Sequence, residues 1–178
     1  MTEIEVKILE INRVQVEERL IALGAKKTFD DDIHAIYYDL QDNILRNTGK
    51  ALRLRREGKK TVLTLKLQRE NALAKERAEY EVEAGGFEEM QMLLEGIGYI
   101  PWLVMQKHRT SYELEDTHIE LDHYCGAHGH IPEFLEIEGR DIEAIYRTAE
   151  ALGFSRHDCR PWDVTELIEY YERNKTGP

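Results

Sequence analysis

The chain has 178 residues, a formal net charge of −11, 42% apolar and 33% charged residues. That length cores one domain comfortably, and the composition excludes a disordered chain. The acidic balance excludes a protein that coats nucleic acid through a basic surface, and no apolar run approaches the roughly 18 residues that span a bilayer.

Glu3 and Glu5 stand where the basic region of a secretory signal would lie, and no apolar segment follows them. Two cysteines, Cys125 and Cys159, form no paired motif. Together these predict a cytoplasmic protein. The net charge leaves a phosphate ligand open, because basic residues recur at alternate positions within strand-like segments.

In chain order, Ile4–Leu9 reads as a strand, after which Asn12 and Gln15 resemble a capping box opening a helix. Val16, Leu20 and Leu23 give that helix an apolar face and Gly24 ends it. Strands are predicted at His34–Leu40, Ala51–Arg56 and Thr61–Gln68, and then around Glu79–Glu83. A helix with Phe87, Met90, Leu94 and Ile97 on one stripe stops near Gly98. Val104–Leu114, Thr117–Tyr124 and Glu136–Glu138 complete eight strands. The last is followed by a helical stripe of Ile142, Ile145, Tyr146, Ala149 and Leu152, ending at Gly153. A Glu-x-Glu strand, an amphipathic helix and a glycine stop thus recur three times. A final helix carries Val164, Leu167, Ile168 and Tyr171. No linker divides the chain, so residues 1–178 are expected to form one domain.

Residues two apart on a strand share a face. Glu3, Glu5 and Lys7 therefore oppose Ile4, Val6 and Ile8, and Arg53 with Arg55 opposes Leu52 with Leu54. Thr64, Lys66 and Gln68 oppose Leu63, Leu65 and Leu67, while Arg77, Glu79, Glu81 and Glu83 oppose Tyr80 and Val82. Glu120 and Asp122 oppose Ile119 and Leu121, and Glu136 and Glu138 flank Ile137. One account is an ordinary sheet with charges in water. The other is a closed barrel with a charged lumen and an apolar outer wall under the helices. Single-sign runs on individual strands favour the second. Two carboxylates ~4 Å apart repel by about 4 kcal/mol at an effective dielectric of 20. An empty lumen of this kind is therefore expected to be unstable. A carboxylate side facing a cationic side would suit a polyphosphate carrying Mg²⁺ or Mn²⁺.

The opening Glu3-Ile4-Glu5-Val6-Lys7 resembles the E-x-E-x-K signature of the CYTH superfamily, the triphosphate tunnel metalloenzymes. An ordered series extends the resemblance: Tyr37-Tyr38-Asp39, Leu52-Arg53-Leu54-Arg55, Leu63-Thr64-Leu65-Lys66 and Arg77-Ala78-Glu79-Tyr80-Glu81. It continues through Lys107-His108-Arg109, Leu121-Asp122 and Phe134-Leu135-Glu136-Ile137-Glu138.

The resemblance implies an α+β fold, an eight-stranded antiparallel β-barrel with a polar charged lumen and helices packed outside. It also implies an enzyme acting on a small-molecule triphosphate with Mg²⁺ or Mn²⁺. Glu3, Glu5, Glu136 and Glu138 would hold metal, helped by Glu81 and Asp122. Lys7, Arg53, Arg55, Lys107 and Arg109 would grip phosphates together with Lys66. Lys66 paired with Tyr37 would activate water, with Tyr38 an open alternative until the strand phase is known. Metal-dependent triphosphate hydrolysis is the leading expectation. A class IV adenylyl cyclase is the alternative, and a non-catalytic triphosphate-binding module the third. The substrate's organic half and the oligomeric state stay open.

Two loops depart from the family pattern. Glu70–Lys75 lacks the Gly-Pro often found there, and Cys125–His130 is rich in Gly and His, with a spacing that matches no compact zinc motif. Trp102 and Trp162 are expected to be packing residues, with ring stacking the minority reading. The last helix either closes one tunnel mouth or packs outside.

Overall fold

The computed structural model describes the backbone of residues 2–69 and 76–174 and the side chains of residues 4–67 and 78–174. The Glu70–Lys75 loop and the Glu3 side chain lie outside the described residues.

The elements run β1 (Thr2–Ile8), α1 (Arg13–Ala22), β2 (Lys26–Asp39), a 3₁₀ turn (Gln41–Asn43), α2 (Ile44–Asn47), β3 (Lys50–Glu57), β4 (Lys60–Arg69) and β5 (Glu76–Ala84). They continue through α3 (Phe87–Gly96), β6 (Ile100–Leu114), β7 (Thr117–Cys125), β8 (Phe134–Gly139), α4 (Ile142–Ala151) and α5 (Val164–Asn174). The eight strands close into a barrel in the order β1-β5-β4-β3-β2-β6-β7-β8. Every neighbouring pair is antiparallel.

The apolar side of most strands faces outward, as the alternation required of a charged lumen. Val6, Ile8, Ile119, Leu121, Leu135 and Ile137 are buried under Val16 and Leu20 of α1 and Ile145, Ala149 and Leu152. Ile36, Tyr38, Leu52 and Leu54 are buried under Phe87 and Leu94 of α3. The helices thus work as lids on the outer wall. Gly24, Gly98 and Gly153 follow α1, α3 and α4 at φ +81°, +102° and +84°. Only glycine adopts these values without strain, which fixes where each helix stops. Asn12 caps α1 by accepting from the Gln15 backbone N–H at 3.2 Å.

Three features differ from the sequence expectation. β2 begins at Lys26, well before His34. Its first half carries charge on both faces, so no alternation marks it; it is held by backbone pairing to β6, from Lys26 opposite Glu113 to Asp32 opposite His108. Leu23 and Ile97, assigned to apolar stripes, are exposed at the helix ends. The short α2 was not anticipated. Buried Asp39 organises it by accepting the backbone N–H groups of Leu40, Leu45 and Arg46 at 2.8, 2.8 and 3.1 Å.

A candidate active site in the charged tunnel

The barrel encloses a cavity of about 590 Å³ lined by residues from every strand, with charged ones from all but β2. Strand pairing sets which side chains meet. On the β1–β8 ladder Glu5 stands opposite Glu138 and Lys7 opposite Glu136. Glu136 in turn faces Glu120, and Asp122 faces Arg109 across β6–β7. Arg53 sits between Tyr37 of β2 and Thr64 of β4, and Lys66 lies opposite Glu79. Of the candidate residues with described side chains, Glu5, Lys7, Tyr37, Arg53, Arg55, Lys66, Glu81, Lys107, Arg109, Glu136 and Glu138 all line this one cavity. Asp122 is fully buried beside it.

The two signs are interleaved in ion pairs rather than segregated into the expected carboxylate and cationic sides. Arg109 is the hub. Its Nε donates to Asp122 Oδ1 at 2.7 Å and its Nη2 to Asp122 Oδ2 and Glu136 Oε2 at 2.6 and 2.9 Å. Its Nη1 pairs with Glu120. Lys107 Nζ bonds Asp122 Oδ2, and Lys7 Nζ lies 2.8 Å from Glu136 and 3.4 Å from Glu5. Lys66 pairs with Glu79. Burial pushes the Glu136 carboxyl up, but Lys7, Lys107 and Arg109 together hold it well below the usual carboxylate range. Burial likewise works against the Arg109 charge, and Asp122 and Glu120 raise it well above its ordinary value.

The β3 arginines are satisfied differently. Arg53 approaches Glu81 only to 3.9 Å, and Arg55 meets Glu57 at 2.8 Å and Glu81 at 3.6 Å. Among the described residues the buried Nε of both Arg53 and Arg55 has no hydrogen-bond partner, the Arg55–Glu57 contact being an ion pair without hydrogen-bond alignment. Burial, reinforced by Arg53, lowers Arg55 to about 10. A buried Arg53 Nε without an acceptor, next to an Arg55 whose charge Arg53 disfavours, makes a wall that an anion would complete.

Tyr37 and Tyr38 are now distinguished. Tyr37 faces the lumen, where burial pushes its hydroxyl up but Arg53, Lys66 and Lys107 outweigh that and bring it below its ordinary value. Tyr38 lies in the outer core under α3, and burial raises it to about 12.

Glu120, Asp122 and Glu136 bring carboxylate oxygens within 4.8 Å of one another. An all-oxygen anionic set fits a hard divalent cation such as Mg²⁺ or Mn²⁺. Sequence reasoning assigned no role to Glu79, Glu120, Glu57 or His118, all of which line the cavity. The alternation had already grouped Glu79 with Glu81 and Glu120 with Asp122. His118 pairs with Glu120 at 3.4 Å, and that contact raises it above its ordinary value.

The tunnel has unlike ends. At one, Tyr37, Met105, Tyr124 and Phe134 form an apolar cluster against which Leu167 of α5 is fully buried. Asp163, Val164, Thr165 and Glu166 line the same cavity, so the start of the C-terminal helix borders the tunnel. In the Gly- and His-rich loop, Cys125 is exposed and His128 packs its ring edge-on against Tyr124. Among the described residues no helix is long and apolar enough to cross a membrane.

Comparison with known proteins gives a consistent picture. The model of the CYTH domain matches residues 1–157. A Methanocaldococcus jannaschii protein provisionally named an adenylate cyclase is 31% identical over 94% of this chain and 98% of its own. The structure of a Pyrococcus horikoshii protein superposes with a TM-score of 0.78 at 27% identity, covering 93% of this chain and 99% of that one. A Hippeastrum protein, provisionally named an adenylyl cyclase and described as having a dominant triphosphatase activity, superposes with a TM-score of 0.69. It is 18% identical over 96% of this chain and 95% of its own, which speaks to the fold alone.

Proposed function

The chain belongs to the CYTH domain family, and from that premise we propose that it is a divalent-metal-dependent enzyme hydrolysing a small-molecule triphosphate in the tunnel. The observation that carries this reading is the lumen wall around Arg53 and Arg55. Both side chains line the cavity; the buried Arg53 Nε has no acceptor, and the Arg55 Nε has only the misaligned Glu57 contact at 2.8 Å. Such preorganised donors stabilise charge developing on transferring phosphoryl oxygens.

In this reading Arg53, Arg55, Lys7 and Lys107 bind phosphate oxygens. Arg109 joins them while Asp122 fixes its orientation. Glu5, Glu120, Glu136 and Glu138 supply metal ligands, with Glu3 and Glu81 assigned by the family resemblance. Bound Mg²⁺ or Mn²⁺ would neutralise phosphate charge. Lys66 and Tyr37 orient and deprotonate the attacking water. The cations around the Tyr37 hydroxyl support this role, because they favour its ionised form. A water-excluding apolar end and charged walls hold the phosphate chain in line. The unpaired cysteines Cys125 and Cys159 support a cytoplasmic setting.

The provisional name of the Methanocaldococcus jannaschii relative favours a second reading, cyclisation of ATP to cyclic AMP and pyrophosphate. Product analysis separates the two. The protein is incubated with inorganic triphosphate, thiamine triphosphate and ATP in Mg²⁺ or Mn²⁺, with an EDTA control. Orthophosphate release that EDTA abolishes supports hydrolysis. Cyclic AMP as the main product from ATP overturns it in favour of cyclisation. No product from any substrate overturns both.

A further inference from the structure

Arg46 and Trp102 are not absorbed by the phosphate chemistry, yet both line the tunnel cavity. The Arg46 guanidinium lies over the Trp102 ring, 4.2 Å from its centroid. Three contacts fix this stack. Asp39, almost fully buried, accepts from Arg46 Nε at 3.2 Å and from the Arg46 backbone N–H at 3.1 Å. Asn43 Oδ1 accepts from Arg46 Nη2. Trp102 meets Tyr37 edge-on at 5.9 Å, and Tyr37 in turn sits among Arg53, Lys66 and Lys107. Despite these anchors Arg46 keeps 39% of its side chain exposed. The surroundings leave room. Gly49 and Ala51 are the small lining residues on β3 and the turn before it, and Val164 and Thr165 of α5 line the same cavity.

A surface arginine that merely packed would not need a buried carboxylate and a helical turn to hold its plane. Here the ordering entropy of a long side chain is removed before any ligand arrives, which is what a recognition platform requires. Guanidinium planes and indoles both stack on nucleobases, and such stacking tolerates any base because each has a π-face. The cavity volume of about 590 Å³ also falls in the class that buries organic ligands of drug size.

We propose that Arg46, stacked on Trp102, is the subsite for a planar aromatic ring attached to the triphosphate, so that these two side chains decide between a ring-bearing triphosphate such as ATP and inorganic triphosphate. The ring adds a layer to the Trp102–Arg46 stack, while the phosphates run inward past Tyr37 toward Arg53 and Lys66. This rests on the triphosphate-binding reading of the same tunnel and adds the organic half to it.

The test uses two probes, methylene-bridged ATP and methylene-bridged triphosphate, titrated calorimetrically into the full chain with Mg²⁺. The wild type should bind the ATP analogue more tightly. Trp102→Ala and Arg46→Ala should each weaken that analogue about tenfold or more, as loss of base stacking does, and leave the triphosphate analogue unchanged. Trp102→Phe, which keeps a ring and guards against misfolding, should retain most of the ATP preference. In a Trp162→Phe background, where Trp102 is the remaining tryptophan of the two in the chain, the ATP analogue should change the fluorescence and the triphosphate analogue should not. Equal binding of both probes, untouched by any variant, overturns the ring subsite and leaves the triphosphate reading standing. An Arg46→Ala variant that loses both probes alike makes Arg46 a phosphate ligand and also overturns it. If neither probe binds the wild type, the triphosphate reading itself fails and the subsite with it.

Discussion

Two buried arginines of the same tunnel should respond unequally to removal. Arg109 is 6% exposed and bonded to Asp122 twice, to Glu136 once and to Glu120. In Arg109→Leu those carboxylates lose their shared counter-ion, and breaking a buried ion pair from one side costs about 3–5 kcal/mol. For a chain of this size each kcal/mol moves Tm by about 2–4 °C, so the expected loss is about 6–20 °C. Arg53→Leu strands less, since burial works against the Arg53 charge and Tyr37 and Glu79 support it without a close carboxylate pair. Its nearest paired carboxylate is 3.9 Å away, its Nε has no acceptor, and its charge depresses Arg55. The metal-free Arg53 variant should therefore lose far less stability than Arg109→Leu, yet gain little from triphosphate, whereas wild type gains as RT ln(1 + [L]/Kd). Urea unfolding in EDTA, with m-values checked for constancy, reads the first effect. Thermal shifts with and without inorganic triphosphate read the second. Adding Mn²⁺ should recover part of the Arg109→Leu loss by replacing the missing positive charge. The reasoning is refuted if Arg109→Leu unfolds with wild-type stability, or if Arg53→Leu falls as far as Arg109→Leu.

Calorimetry should find Mn²⁺ binding tighter in the presence of methylene-bridged triphosphate, and the analogue tighter by the same factor in Mn²⁺, because coupling is reciprocal; identical affinities would count against shared use of the lumen charges. Tyr37→Phe and Lys66→Ala should lower kcat for triphosphate more than they change KM, as expected for groups acting on the water; a pure KM effect would reassign them to binding. His108 sits between Asp32 at 2.9 Å and Asp30 at 3.0 Å, and these contacts raise its pKa above 6.5. Its charged form therefore contributes stability that is complete below the unfolded value of about 6.5 and is lost as pH rises through the folded one. An NMR titration should place His108 above its ordinary value in wild type and lower in Asp32→Asn.

The alternation of Glu5 and Lys7 with Val6 and Ile8 made the tunnel legible, because a period of two survives any uncertainty about where a strand begins. The same rule could not choose between Tyr37 and Tyr38, neighbours on opposite faces. Their phase is set by pairing Tyr37 with Arg53 on β3, and a register shift between the two on the β6 side blurs it locally. The first half of β2 was illegible for a related reason. Lys26, Lys27, Asp30 and Asp32 make no hydrophobic pattern, and the strand exists because β6 offers its backbone and His108 its ring. Partner choice across strands was also beyond sequence. That Arg109 would gather Asp122, Glu120 and Glu136 depends on the β6–β7–β8 register, which no single segment encodes. Arg46 was missed because its stack on Trp102 joins α2 to β6, elements more than fifty residues apart in the chain.

That register also explains how so charged an interior is compatible with a marginally stable fold. Lys7, Lys66, Lys107 and Arg109 each lie against a carboxylate, so most of the lumen is neutralised pair by pair without a ligand. The unequal sharing is what prepares the site. Carboxylates gather on β7 and β8 around one arginine, while on β3 the Arg53 Nε has no acceptor and the Arg55 Nε has only the misaligned Glu57 contact. A ligand bearing both a divalent cation and a polyanion can exchange partners with this arrangement, since the cation takes over carboxylates and the anion the released guanidinium groups. A ligand of a single charge sign can satisfy only half of the exchange and must leave the other half stranded in a low-dielectric interior. In the proposed function, selectivity for a metal–triphosphate complex over either component alone would rest on the strand register that pairs these charges.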